Sequence, residues 1–388
     1  MGKTKLIKVG IIGIGAGGIG ETHFEALRRI GGIRVTAICT LDREWATSYA
    51  EKYAIPKVYT DYQELINDKE IDVVHVATPN NLHYEQVMYA LEAGKHVVCD
   101  KPLGVNTAQT AKMLSLVKEK KLAHAVCYNH RFLPLIFHAR EMVRRGDLGT
   151  LTLIRGYAMG DFMMAIAQID PNHWRTNPET VGLSKTMSVM GGHLLDLLQF
   201  ISGLKVREIF ADFGYVDPTR EGITFDGQDF VREKGGQLED HANLLLRFGD
   251  GIKGTVLLSE AAPGHKVEVF LEIIGTEGCV AWNLQKINEI WIGCRTQSNK
   301  LLYKGIELLY PEAQAIAAPP SWGQDGFSES FRQLFDAVYR HIKEEKHLID
   351  TEPDFATFET GHHMELVIQG MMNSVREERW QTIGEGGV

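Results

Sequence analysis

From Lys8 to Val126 the chain alternates short strand-like runs with longer stretches of helical period. The strand-like runs are Val9–Ile14, Arg34–Cys39, Lys57–Tyr59, Asp72–Ala77, His96–Cys99 and His124–Val126. Each is apolar and short, as a buried strand requires. Between them, Glu21–Ile30, Trp45–Tyr53, Tyr62–Asn67, Leu82–Ala93 and Gln109–Lys120 read as helices, with stop signals at Gly31-Gly32 and Gly94. Strands alternating with helices predict a parallel sheet covered on both faces. In such a sheet, ligands bind beyond the carboxyl ends of the strands.

The pattern changes after residue 127. Leu151–Met159, Glu208–Val216, Leu244–Phe248, Gly254–Ser259, Lys266–Ile274, Val280–Asn283 and Glu289–Ile292 are strand-like. Turn signals at Gly249-Asp250-Gly251 and Gly275-Thr276-Glu277-Gly278 separate some of them, and short turns predict antiparallel neighbours. His193–Ile201 reads as a largely buried helix, and Phe327–Lys343 and Phe355–Arg376 as amphipathic ones. Met163–Glu179 reads as a loop over the crevice, and Gly222–Gly236 as a charged, glycine-rich excursion. The expectation is an α/β domain with a parallel sheet over 1–127, followed by an α+β domain over 128–388.

At 388 residues the chain can form two domains with real cores. Its formal net charge of −9 argues against a nucleic-acid binder. No apolar run reaches membrane-spanning length. The N-terminus enters the first strand without a signal-peptide core, so a cytoplasmic location is expected. The five cysteines, at 39, 99, 127, 279 and 294, form no C-x-x-C pair, which argues against a disulfide framework or structural zinc. His362 and His363 are adjacent on a helix and do not share a face, so no metal is expected there.

The stretch KVGIIGIGAGGIGETH, Lys8 to His23, joins a strand to a helix start through a run of glycines. Such a turn suits a pyrophosphate, because glycines admit close backbone approach and the helix end presents free N–H groups. Two registers of G-x-G-x-x-G overlap, Gly13/Gly15/Gly18 and Gly15/Gly17/Gly20. At the end of the second strand, Asp42 would favour NAD by accepting from the ribose 2′-hydroxyl. Thr40 with Arg43 would instead accept the 2′-phosphate of NADP. The alternative role for Asp42 is to cap the next helix. Thr78-Pro79-Asn80 and Lys101 also fall at strand ends, and Lys101 is suited to stabilise a substrate hydroxyl as it loses its proton. His193, at the start of its helix, would have its pKa lowered by the positive helix end, as a base that starts neutral needs. On the crevice loop, Trp174 is suited to stack on an apolar face of a ligand or to anchor the loop, and Arg175 to bond hydroxyls.

Taken together, these stretches resemble the glucose-fructose oxidoreductase / inositol dehydrogenase / rhizopine catabolism family. The resemblance is carried by the glycine turn with His23, Thr78-Pro79-Asn80 with His83, Asp100-Lys101-Pro102, and the run Tyr128 to Pro134. Trp174-Arg175, His193-Leu194-Leu195-Asp196, and Glu239-Asp240-His241-Ala242 through Gly278 extend it over nearly the whole chain. The later stretches look most like bacterial sugar and glycoside dehydrogenases. The resemblance implies an α/β dinucleotide-binding Rossmann domain over 1–127, an open, mostly antiparallel sheet in an α+β domain for substrate and oligomerisation over 128–388, and assembly as a homo-dimer or tetramer. It also implies oxidation or reduction of a hydroxyl on a sugar, glycoside or polyol with NAD or NADP. It carries catalysis to Lys101 and His193. Cofactor contacts fall on Gly13, Gly15, Ala16, Gly17, Gly18, Ile19, Thr40, Asp42, Arg43, Thr78, Pro79, Asn80, His83 and Lys101, and substrate contacts on Asn129, Arg131, Trp174, Arg175 and His193. The family pattern D-x-G-x-H puts an aspartate four residues before the histidine. Here that position is Val189, with Asp161 and Asp170 as candidate replacements. The departure also admits a non-catalytic dinucleotide- or sugar-binding regulator on the same fold.

Overall fold

The computed structural model describes residues 6–161, 175, 177–216, 221–225, 230–234, 238–318, 323–349 and 351–384. The chain divides into two compact units. The first comprises the chain up to Asn129 together with Phe327–His362, and the second His130–Gly326 with the chain from His363 onward.

In the first unit, β1 (Ile7–Ile12), α1 (Ile19–Leu27), β2 (Ile33–Cys39), α2 (Arg43–Tyr53), β3 (Lys57–Tyr59), α3 (Tyr62–Asn67), β4 (Val73–Val76), α4 (Asn80–Glu92), β5 (His96–Cys99), α5 (Thr107–Lys120) and β6 (His124–Val126) alternate. The strands form one six-stranded parallel sheet in the order β3-β2-β1-β4-β5-β6. The order reverses direction beside β1, which makes the ends of β1 and β4 the switch point where such sheets bind ligands. Val9, Ile11, Val73, Val74, Val76, Val98 and Cys99 have no more than traces of exposed surface, as expected for strands covered on both faces. Asp42 caps α2 by accepting from Trp45 N, and Asn106 caps α5 by accepting from Gln109 N.

The second unit opens with α6 (Pro134–Arg144) and β7 (Leu151–Met159). A π-helical turn, Met187–Gly191, then runs directly into α7 (Gly192–Ser202). There follow β8 (Val206–Gly214), β9 (Glu221–Phe225), β10 (Phe230–Lys234), β11 (His241–Phe248), β12 (Lys253–Ser259), β13 (Glu268–Gly275), β14 (Gly278–Asn283), β15 (Glu289–Cys294) and β16 (Lys300–Tyr303). The last elements of the chain are α8 (Phe327–Lys343), α9 (Phe358–Glu377) and β17 (Gln381–Thr382). The main sheet has nine strands in the order β16-β15-β14-β13-β7-β12-β11-β8-β17. In β11, buried Ala242, Leu244, Leu246 and Phe248 alternate with more exposed residues, the mark of a sheet with one covered face.

The main sheet is mostly antiparallel, as expected, while two other features differ from the sequence reading. The sheet is antiparallel except for β7 and β12, which pair in parallel. Short turns cannot join that pair, so local turn signals carry no trace of it. The expected excursion at 222–236 contains two strands, β9 and β10, that pair antiparallel from Glu221↔Lys234 to Phe225↔Phe230. Finally, α8 belongs to the first unit rather than to the second domain. Its Phe331 and Phe335 rings lie 5.5 and 4.9 Å from the His23 ring on α1. Amphipathicity shows which face of a helix is buried and not which element covers it.

Candidate functional site

The glycine turn lies at the end of β1. Gly13 has φ +89°, and a Cβ there would sit 2.6 Å from the carbonyl of Ala77. At Gly20 a Cβ would meet Gly13 O at 2.7 Å and Ile14 Cα at 2.8 Å, so this glycine lets α1 pack back on the strand end. Between them, Gly17 has φ +70°, and a Cβ on Gly15 or Gly17 would point into open space. The two crowded glycines come from different registers, so neither six-residue fingerprint describes the turn. It spans Gly13 to Gly20, tight at both ends and open in the middle, where Ala16, Gly17 and Gly18 are exposed. The open stretch ahead of Ile19, the first residue of α1, fits a pyrophosphate approaching backbone N–H groups. One of those groups, Gly17 N–H, donates to the Glu21 carboxylate at 2.6 Å.

At the end of β2, Asp42 uses Oδ1 to accept from Trp45 N at 2.9 Å, so the capping role is realised. Asp42 and Arg43 are exposed and Thr40 half-buried.

Thr78, Pro79 and Lys101 are half-buried at the ends of β4 and β5, with Asn80 buried at the start of α4. The Lys101–Pro102 peptide is cis. His83, a candidate cofactor contact, is instead fully buried, with Nδ1 2.8 Å from Pro102 O and Nε2 2.9 Å from Thr78 O. Both ring nitrogens face backbone carbonyls, so the imidazole ties the two strand-end loops together and has no edge left for a cofactor. Its place one turn into α4 turns the ring inward, which a motif match alone does not reveal.

Behind Asp100 and Lys101 lies a buried polar chain. Tyr339 Oη is 2.8 Å from His75 Nε2, His75 Nδ1 is 3.2 Å from His23 Nδ1, and His23 Nε2 is 3.7 Å from Cys127 Sγ. Asp100 completes a group with His23 and Cys127 whose ligand atoms lie within 4.8 Å of one another. Burial pushes His23 down to about 4, against the pull of Asp100, and pushes His75 well below its ordinary value. Both rings are neutral, so each carries one N–H and the donors run in one direction along the chain. Nothing in the sequence joins His75 to this set, because periodicity marks β4 only as a buried strand.

In the second unit, His193 is buried on α7. The expected free helix end beside it is absent, because the preceding turn is π-helical and Gly191, with φ −59° and ψ −39°, is itself helical. The helix dipole therefore gives no account of His193 chemistry. The His130 ring lies 4.4 Å from the His193 ring, tilted by 31°. Arg131, a candidate substrate contact, is buried and donates through Nε and Nη2 to Asp196 at 2.8 and 2.6 Å. Its guanidinium also lies 4.7 Å from the centre of the Phe200 ring. This placement assigns Arg131 to packing against α7. A paired arginine and a substrate arginine look alike until the facing acid is known. In the first unit, Asn129 is buried and donates to Ser330 Oγ at 2.7 Å. Arg175 is half-buried, while Trp174 and Asp170 lie outside the described residues. Asp161 pairs with Lys266 at 2.5 Å, which holds its carboxyl below the usual range.

Residues 7–128 match the family model described as oxidoreductase family, NAD-binding Rossmann fold, and residues 136–281 match the GFO/IDH/MocA C-terminal domain. The chain is 26% identical over 360 residues to levoglucosan dehydrogenase of Pseudarthrobacter phenanthrenivorans, covering 88% of each chain. It is 28% identical to myo-inositol 2-dehydrogenase of Thermotoga maritima, covering 70% of this chain and 74% of that one. Among solved structures, levoglucosan dehydrogenase in complex with NADH and levoglucosan superposes with a TM-score of 0.83 at 24% identity, over 98% of this chain and 99% of that one. At that identity the superposition speaks for the fold. No helix among the described residues is long and apolar enough to cross a membrane.

Proposed function

Because the chain belongs to the oxidoreductase family with an NAD-binding Rossmann domain and a GFO/IDH/MocA C-terminal domain, we propose that it is a dehydrogenase oxidising a secondary hydroxyl of a sugar, glycoside or polyol. The observation that carries this reading is the 26% identity to a levoglucosan dehydrogenase along 88% of both chains, and the stretches around Lys101 and His193 support it by their resemblance to the family's motifs. Bound NAD supplies the hydride acceptor, and the open glycine turn holds its pyrophosphate. The chain's own residues manage the proton. His193 takes it from the substrate hydroxyl as a general base, and the Lys101 ammonium favours alkoxide character on the same oxygen. Arg175 and Trp174 orient the sugar. The protein works as a homo-oligomer in the cytoplasm.

The test is NADH formation from NAD over a panel of anhydrosugars, glycosides and inositols. Lys101→Ala and His193→Ala should each lower kcat/KM by about 10²–10⁴-fold. Unchanged turnover in both would overturn the assigned roles. Val189 favours a second reading, a dinucleotide-binding regulator, since valine cannot accept a proton or a hydrogen bond through its side chain. Tight NAD binding with no turnover on any member of the panel would select that reading.

A further inference from the structure

We propose that His130 is the positioning residue for His193, restraining it by ring-on-ring contact in a chain that has valine, not aspartate, at position 189. The inference rests on His193 being the base of the dehydrogenase reading. Both imidazoles are buried, 5% and 6% exposed, with centroids 4.4 Å apart and planes tilted by 31°. That is a close, tilted ring-on-ring contact. The contact is held in register by the next residue. Arg131 forms a two-point ion pair with Asp196 and lies against Phe200. His193, Asp196 and Phe200 are spaced i, i+3 and i+7, so they share one face of α7. Two consecutive residues, His130 and Arg131, therefore grip that face at three levels. The bidentate pair fixes the height along the helix and its rotation, and the His130 ring then limits rotation of the His193 ring about its χ2. A carboxylate would orient the ring through one nitrogen. A neighbouring ring instead restrains it through its face.

The test compares His130→Ala, His130→Gln and His130→Phe in the full chain, using the most active sugar of the panel. Removing the ring should lower kcat by about 10–100-fold, the range that small misplacement of a reacting group produces. The dissociation constant for NAD and the melting temperature should stay near wild type, at least in His130→Gln, which keeps the bulk of the side chain. His130→Phe should bring kcat back to within about threefold, because it restores a ring and no titratable group. The second readout is NMR of the His193 ring protons. Their signals should move when the facing ring is removed and return toward wild type in His130→Phe. Wild-type kcat with unmoved His193 signals in both ring-less variants would overturn the proposal. So would a His130→Phe enzyme no better than His130→Ala. If the wild-type protein turns over no substrate, the dehydrogenase reading fails by itself, and the ring-proton signals still decide whether His130 sets His193.

Discussion

Glu21 Oε2 accepts a hydrogen bond from Gly17 N–H at 2.6 Å, so a carboxylate of the chain itself meets the turn that would receive pyrophosphate. Two negative groups at one helix end compete. Glu21→Gln should lower the dissociation constant for NAD by about two- to fivefold, the worth of one charge at a helix terminus. The gain should shrink as salt is added. Because Glu21 lies in the first turn of α1, the same change should slightly lower the melting temperature. Affinity and stability moving in opposite directions, read by titration and thermal melting, are the expected signature.

The glycine turn separates packing from ligand approach. Gly20→Ala puts a methyl group against backbone atoms at 2.7 and 2.8 Å, which cannot rotate away, and should destabilise the protein by about 1–3 kcal/mol. Gly15→Ala meets nothing within 4 Å, so it should leave the melting temperature unchanged while weakening NAD binding. Unweakened binding in Gly15→Ala would mean that the cofactor does not approach that stretch of backbone.

Breaking the Arg131–Asp196 pair should be costly. The Asp196 side chain is 1% exposed and that of Arg131 10%, so Asp196→Asn leaves a buried guanidinium without its counter-charge. A loss of about 3–5 kcal/mol in unfolding free energy is expected from denaturant titration. Arg131→Lys should not match wild type, because an ammonium cannot reproduce the two-point geometry.

Glu365 sets a pH dependence. Burial pushes its carboxyl up to about 8, while in the unfolded chain it titrates near about 4.3. Between those values the folded state binds the extra proton. Stability contributed by this group is therefore full below the lower value and lost as pH rises toward the upper one. Glu365→Gln should raise the melting temperature at pH 8.5 by more than at pH 5. An equal change at both would show that the carboxyl is not buried as protonated acid.

Much of the fold was legible because its signals are local. Continuous apolar runs and glycine stops marked the first sheet, and all six of its strands appear with small shifts in their ends. The parallel β7–β12 pair was not legible, since it joins segments with no turn between them. The site followed the same rule. Lys101 and His193 stood out through motifs. The inward turn of His83, the pairing of Arg131 with Asp196 and the His130–His193 ring contact depend on what lies opposite each side chain, which no spacing along the chain records. The dipole argument for His193 failed for a local reason, because the helix it was expected to start is preceded directly by a π-helical turn, Met187–Gly191.

The placement of α8 constrains biosynthesis. Phe335 and Tyr339 close over His75, and the Tyr339 hydroxyl completes its hydrogen bond, within the same unit as the first strand. A ribosome making this chain releases the whole parallel sheet long before it releases that helix. Until then two imidazoles destined for a dry interior face the cell's solvent, and the nucleotide-binding unit lacks part of its covering. The unit should not be separable by truncation after Asn129, and its maturation should wait for α8 to leave the exit tunnel.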